Sequence, residues 1–190
     1  MRVALGILLS LALGLGSAAL AVRGGLATGD VHVGPWRTNL TTGSADASLY
    51  TRARVAVAGL LALAPSETIY FTAATDSGGE PLRASCDYVL AGGELPARWW
   101  SVTAYGADHF LIPNAAGRYS IGQTTLLRDS GGRWTARVSS QPSDGNWIPS
   151  GDPGASGAFS LTLRLYNPNA DLARDPASAK LPELAREGCR

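Results

Sequence analysis

The chain has 190 residues, 45% of them hydrophobic and 16% charged, with 16 Lys and Arg against 15 Asp and Glu for a net charge of +1. Residues 3–22 form an uncharged apolar run flanked by Arg2 and Arg23; the remainder, roughly 165 residues, is one domain's worth and can bury about 70% of its unfolded surface. Without those two arginines the balance is 14 basic to 15 acidic residues, which excludes the phosphate-neutralising surface that nucleic acid needs as a partner, and 23 Gly and 11 Pro scattered without period exclude collagen-like, coiled-coil and disordered classes.

The leader, 1–23, is a signal anchor or signal peptide. Ala19-Leu20-Ala21 offers a small-x-small cleavage site, which would release a secreted or periplasmic domain. Against cleavage, the run exceeds the roughly 7–15 residues of a signal core and just spans ~30 Å of hydrocarbon. Gly6, Ser10, Gly14 and Ala18 recur every four residues, the small-residue spacing that lets two membrane helices approach closely. The favoured reading is therefore a retained anchor in the bacterial inner membrane through residues 3–22, able to pair as a homodimer. Arg2 and the N-terminal amine hold the start of the chain in the cytoplasm, which places the domain in the periplasm.

Residues 24–45, rich in Gly, Thr and Ser, read as a linker and extended, irregular arm. Over 46–63, Leu49, Ala53, Ala56 or Val57, Leu60 and Leu61 follow a 3.6-residue period, with Ser44 or Asp46 as cap and Pro65 as stop, predicting one amphipathic helix packed on the domain. After Pro65 the period becomes two. Strands are predicted at Ile69–Thr75, Cys86–Leu90, Trp99–Tyr105, Phe110–Ile112, Tyr119–Ile121, Trp134–Val138 and Phe159–Tyr166, and Asp76-Ser77-Gly78-Gly79 and Asp129-Ser130-Gly131-Gly132 supply turns. The segment 46–190 thus reads as a mainly β, antiparallel β-sandwich of jelly-roll-like type. The tail, 167–190, with Pro168, Pro176 and Pro182, is expected as a wrapped extended segment. Cys86 and Cys189 are an even pair, most simply a disulfide in an oxidising compartment. Neither has a partner at zinc-like spacing, so no metal and no cofactor are expected.

Sorting each strand by parity isolates the face that could bind. Phe159, Leu161, Leu163 and Leu165 are assigned to the core and Ser160, Thr162, Arg164 and Tyr166 to the opposite side; Trp100, Val102 and Ala104 go inward and Trp99, Ser101, Thr103 and Tyr105 outward, with Tyr70 and Thr72 beside them. If these strands are neighbours, hydroxyls and aromatic rings surround the Arg164 guanidinium, a surface suited to a sugar, carboxylate or phosphate. The competing reading is a solvated sheet face. Of the five tryptophans, Trp147, with Asn146 in the NWIP turn, is placed near a cleft rim. Catalytic signals are thin. His32 lies in the arm, leaving His109, beside Asp108, as the general-base candidate, and Gly154-Ala155-Ser156-Gly157 lacks the spacing of a nucleophile elbow.

Several blocks in this order carry a resemblance: GPWRTNLTTGSADASLYTRARVAVAGLLAL at 34–63, ETIYFTAATDSGGEPL at 67–82, CDYVL at 86–90, ARWWSVTAYGADHFLIPN at 97–114, NWIP, and FSLTLRLYNP at 159–168. Over about 34–189 the chain resembles the bacterial domain-of-unknown-function family 1214. The resemblance implies a jelly-roll-like sandwich in a short, membrane-anchored form without the companion domain of family 1254, and it transfers no catalytic residue. The expectation is an exported cell-envelope module binding a small polar ligand, glycan or protein partner through Arg164, Tyr166, Thr162, Tyr105, Thr103 and Trp99, with Trp147 and Asn146 at the rim. The alternative is an exported hydrolase or lyase acting on glycans or esters through His109 and turn carboxylates.

Overall fold

A computed structural model describes residues 2–24, 30–57 and 62–190. Helix α1 (Arg2–Gly24) carries an apolar stretch, Arg2–Val22, whose 21 residues are long enough to cross a membrane, spanning about 31 Å at 1.5 Å per residue. Then follow β1 (Val31–Val33), β2 (Trp36–Thr38), α2 (Leu49–Val57), β3 (Thr68–Ala73), β4 (Cys86–Gly92), β5 (Ala97–Gly106), β6 (Ser120–Gly122), β7 (Trp134–Ser139), β8 (Trp147–Pro149), β9 (Phe159–Pro168), α3 (Ala170–Arg174) and β10 (Glu183–Cys189).

The strands form two sheets, one of six in the order β1-β2-β3-β9-β5-β6 and one of four in the order β10-β4-β7-β8. Every pair is antiparallel except β7 with β8. In that parallel pair Arg137 lies opposite Trp147, so the chain returns by only two residues and the short loop 140–146 suffices. The inner faces meet as a sandwich. Trp100 of β5 stacks on Trp134 of β7 at 5.0 Å, and Phe159 of β9 meets Tyr88 of β4 edge-on at 5.8 Å.

Alternation builds this core. Phe159, Leu161, Leu163 and Leu165 are all buried, as are Ile69, Phe71 and Ala73 of β3 and Trp100, Val102 and Ala104 of β5. The two Asp-Ser-Gly-Gly turns are the same structure twice: Oδ1 of Asp76 accepts from Gly78 N and Glu80 N, and Oδ1 of Asp129 from Gly131 N and Arg133 N. Gly79 and Gly132, at φ of 88° and 76°, supply the left-handed residue each turn needs.

Several elements depart from the sequence reading. The arm is not wholly irregular, because β1 and β2 form a hairpin about Gly34, and Trp36 is buried and donates Nε1 to the Pro182 carbonyl at 2.7 Å. Residues 110–112 form no strand. Asp108 Oδ1 accepts Phe110 N and His109 takes φ 67°, so the chain turns there and keeps one bridge, Tyr105 to Leu111. The tail adds a strand: β10 pairs with β4, with a register shift between Arg186 and Gly188.

Helix α2 starts later than 46, because Ser48 rather than Ser44 or Asp46 caps it, its Oγ accepting Thr51 N at 3.1 Å. Residues 62–64 are not helical, and 58–61, with Leu60 and Leu61, lie outside the described residues. Its apolar stripe also points the other way. Leu49, 82% exposed, and Ala56 lie outward, while Thr51 is the residue the helix buries.

Three links fasten the C-terminal strand. Cys86 and Cys189, directly opposed across β4 and β10, form a disulfide closing 103 residues of chain. Arg186 donates to buried Asp76 at 2.9 Å. Asp87 receives Ser139 Oγ, Arg137 at 3.0 Å and Arg190 at 2.6 Å. Burial pushes the Asp87 carboxyl up, but hydrogen bonds from Ser139 and Arg137 and the charges of Arg190 and Arg137 outweigh it, holding the group below its usual value.

Reduction removes a cross-link worth roughly 2–5 kcal/mol, so dithiothreitol should lower the melting temperature by about 10 °C; an unchanged melting curve after verified reduction would discount the cross-link. Because the Asp87 carboxyl is depressed in the fold, its contribution is full above the unfolded value and fades as pH falls through the folded one. Wild type should therefore lose more thermal stability than Asp87→Asn between about pH 5 and pH 3, and parallel pH curves would contradict the assignment.

Candidate functional site

Parity that sends leucines into the core sends polar residues to the far side of the six-stranded sheet, and register lines them up. Thr72, Thr162 and Thr103 form one row across β3, β9 and β5, with Arg37 of β2 opposite Thr72. The next row is Tyr70, Arg164 and Ser101, and beyond it lie Thr68, Tyr166 and Trp99. Arg164 leans along the sheet: Nη1 donates to Thr103 Oγ1 at 3.2 Å, Nη2 donates to Tyr105 OH at 2.7 Å, and the guanidinium sits 5.3 Å from the centre of the Tyr105 ring. Two hydroxyls and a π-face orient the cation without neutralising it.

The face is roofed. Tyr70 OH accepts Leu63 N at 3.0 Å, drawing the chain after α2 onto the sheet. Before α2, Arg52 donates to the carbonyls of Ala45 and Ala47, stiffening its approach. Between roof and sheet lies a cavity of about 1130 Å³. Its floor is Tyr70, Thr72, Thr162, Arg164 and Tyr166, with Tyr105 at one end; its roof is Thr51, Arg54, Val55 and Val57; and Val22, from the last turns of α1, reaches its wall.

Arg37 and Arg54 also line the cavity, which brings three guanidinium groups to one space. Among the described residues none of the three makes an ion pair. Asp30 is the carboxylate in the lining, and its Oδ1 accepts Asn39 Nδ2 at 2.9 Å. The electrostatic balance therefore favours an anion, in a space with a substantial apolar wall.

The sequence-derived candidates divide by sheet. Arg164, Tyr166, Thr162 and Tyr105 come together in the cavity. Thr103 lies buried beneath Arg164, and Trp99, packed on the Tyr166 ring at 5.3 Å, stands at the edge of the same face. Trp147 and Asn146 are elsewhere, at the β8 edge of the four-stranded sheet. Trp147 is buried with Nε1 donating to the Ser139 carbonyl, so it pins a loop and forms no rim. The Asn146 amide is committed to Leu127 through both ends and to the Thr135 carbonyl, beside an open depression of about 560 Å³.

The His109–Asp108 pairing is not assembled. His109 lines one end of the cavity, but Asp108 closes its own turn and takes no part in the lining. Among the described residues no carboxylate stands within ion-pair distance of His109, and no group of three or more His, Cys, Asp or Glu could hold a metal. The Gly154–Gly157 segment is a loop, as read. The reading of isolated strands missed Arg37 and Arg54, because their neighbourhood to Arg164 arises only when the hairpin and α2 fold over the sheet.

No curated protein matches the chain. Among solved structures, the VPA0106 protein from Vibrio parahaemolyticus is similar in fold, with 23% identity and a TM-score of 0.62 over 92% of this chain and 43% of that one. The chain thus spans less than half the length of that neighbour. An uncharacterized protein from Burkholderia cenocepacia aligns over 64% of this chain and 29% of its own, at 15% identity and a TM-score of 0.40. The family model described as "Protein of unknown function (DUF1214)" matches residues 67–170, inside the span over which the resemblance was read. That segment is more than half of the chain and contains β3, β5, β9 and the Arg164 floor, and the chain belongs to the DUF1214 family of proteins of unknown function.

Proposed function

We propose that the protein is a membrane-tethered binding module of the bacterial cell envelope, its sandwich on the periplasmic side, and that the cavity over Arg164 takes a ligand bearing a carboxylate or phosphate. One observation carries this reading: Arg37, Arg54 and Arg164 line a single cavity without an ion-pair partner among the described residues. A guanidinium fork recognises such anions in bidentate fashion, and partial desolvation strengthens the pair relative to bulk water. The hydroxyls of Tyr70, Thr72 and Thr162 add orientation. The Cys86–Cys189 disulfide supports an oxidising compartment, and α1 has the length of an anchor. A binding role needs no acid–base pair, and among the described residues no carboxylate stands within ion-pair distance of His109.

Two measurements test the proposal. In thermal-shift titrations with citrate and inorganic phosphate, wild type should be stabilised and Arg164→Ala should lose that stabilisation. Its own melting temperature should fall by several degrees at most, since two charge-assisted hydrogen bonds, worth about 1.5–3 kcal/mol each when made, are lost but alanine leaves no buried charge behind. A large intrinsic loss, with ligand stabilisation retained, would make Arg164 structural. For the tether, intact mass of the envelope-purified chain should include residues 2–24; a mature N-terminus near Val22 would show a cleaved leader.

A further inference from the structure

The roof of the cavity has its polarity reversed relative to a helix packed on a protein core. Thr51, Arg54 and Val55, spaced i, i+3 and i+4, face the cavity, while Leu49 and Ala56 lie on the opposite, exposed side. The same helix lies beside the end of α1, where Ala21 is buried and Val22 forms part of the cavity wall. With α1 serving as a span, a helix packed beside its end with Leu49 and Ala56 outward would lie at the bilayer surface. The cavity lining therefore combines two chemistries: the guanidinium and hydroxyl groups of floor and roof, and the apolar side chains of Val22, Val55, Val57 and Leu63.

We propose that the cavity binds an anionic single-chain amphiphile taken from the adjoining bilayer, its head group on Arg164, Arg37 and Arg54 and its hydrocarbon chain along Val22, Val55, Val57 and Leu63. This rests on the anion-binding reading above and adds the class of ligand. Size agrees, since about 1130 Å³ exceeds the roughly 300–1,000 Å³ of ordinary small-molecule pockets. A single chain is the form a bilayer releases readily, because one acyl chain holds its owner in the membrane only marginally, whereas a second anchors it firmly. Moving that chain from lipid to an apolar wall changes little free energy, so selection falls to the head group. Arginines without an ion-pair partner among the described residues favour an anion there over a neutral or zwitterionic head.

The test uses the full chain in phosphatidylcholine nanodiscs, titrated with acetate, hexanoate, dodecanoate, dodecyl phosphate and dodecanol and followed by melting temperature and intrinsic tryptophan fluorescence. The proposal expects saturable binding of dodecanoate or dodecyl phosphate, at least about tenfold tighter than hexanoate when referred to free aqueous ligand, with no saturable response to dodecanol. Arg164→Gln and Arg54→Gln should each weaken binding by about tenfold or more; among the described residues the Arg54 side chain makes no hydrogen bond or ion pair, so its variant separates binding from folding. Comparison of the two dodecyl anions assigns the head group. Equal affinity for acetate and dodecanoate, with Arg164 dependence kept, would overturn the amphiphile and leave the anion site standing. Dodecanoate responses identical in wild type and both variants would reduce the effect to bilayer partition and overturn the proposal. No saturable binding by any anion, citrate and phosphate included, would overturn both readings.

Discussion

Strand β9 serves two masters. Its odd positions, Phe159, Leu161, Leu163 and Leu165, close the core against β4 and β7, and its even positions, Ser160, Thr162, Arg164 and Tyr166, form the middle of the cavity floor. Because the side-chain period of a strand is two, a one-residue slip against β3 or β5 would place Arg164 in the core and a leucine in the cavity. The free-energy cost of burying an unpaired guanidinium therefore fixes the register of the sheet. The position of Arg164 between Tyr70 and Ser101 follows from the same constraint. The core and the cavity floor are two sides of one strand.

The opposite sheet is organised around its closing strand. β10 reaches β4 only after the chain has left the six-stranded sheet through α3, and its inner contact is the single buried Leu184. So small an apolar contact would leave an edge strand prone to fraying. Covalent and ionic links compensate: the disulfide, the Asp76–Arg186 pair, Arg186 over the Tyr88 ring at 5.6 Å, and the Asp87 cluster with Arg137 and Arg190. These charges are structural: the Asp87 cluster lies along the four-stranded sheet, and the Asp76–Arg186 pair ties β10 to the turn that follows β3.

Legibility followed the strength of local periodicity. β3, β5 and β9 were readable because long antiparallel strands with one buried face state their own parity, and that parity also located Arg164, Thr162, Tyr105 and Tyr166. The Asp-Ser-Gly-Gly turns were readable because their hydrogen bonds are local. β1, β2 and β8, of three residues each, are too short to show a period, and β10 hid among prolines and charges. Trp147 was misplaced because an indole suits a loop anchor as well as a rim, and only its bond to Ser139 distinguishes them. Arg37 and Arg54 were invisible for another reason: proximity across the fold has no one-dimensional signature.

The orientation of α2 is the most instructive miss. The 3.6-residue period correctly marks which side chains share a stripe, but not what that stripe faces. The convention that apolar side chains turn inward assumes an apolar surface beneath, whereas here the helix lies over threonines, tyrosines and Arg164. A leucine laid on that floor would strip water from hydroxyls and a cation without returning hydrogen bonds, so Leu49 turns outward and Thr51 and Arg54 turn inward beside Val55. Once they do, Arg54 and Arg164 share one space, and closing it dry would desolvate both cations with no counter-charge, at a cost of several kcal/mol per ion. The cavity stays open for that reason, and its shape follows from a polar sheet face meeting a helix whose apolar side has somewhere else to go.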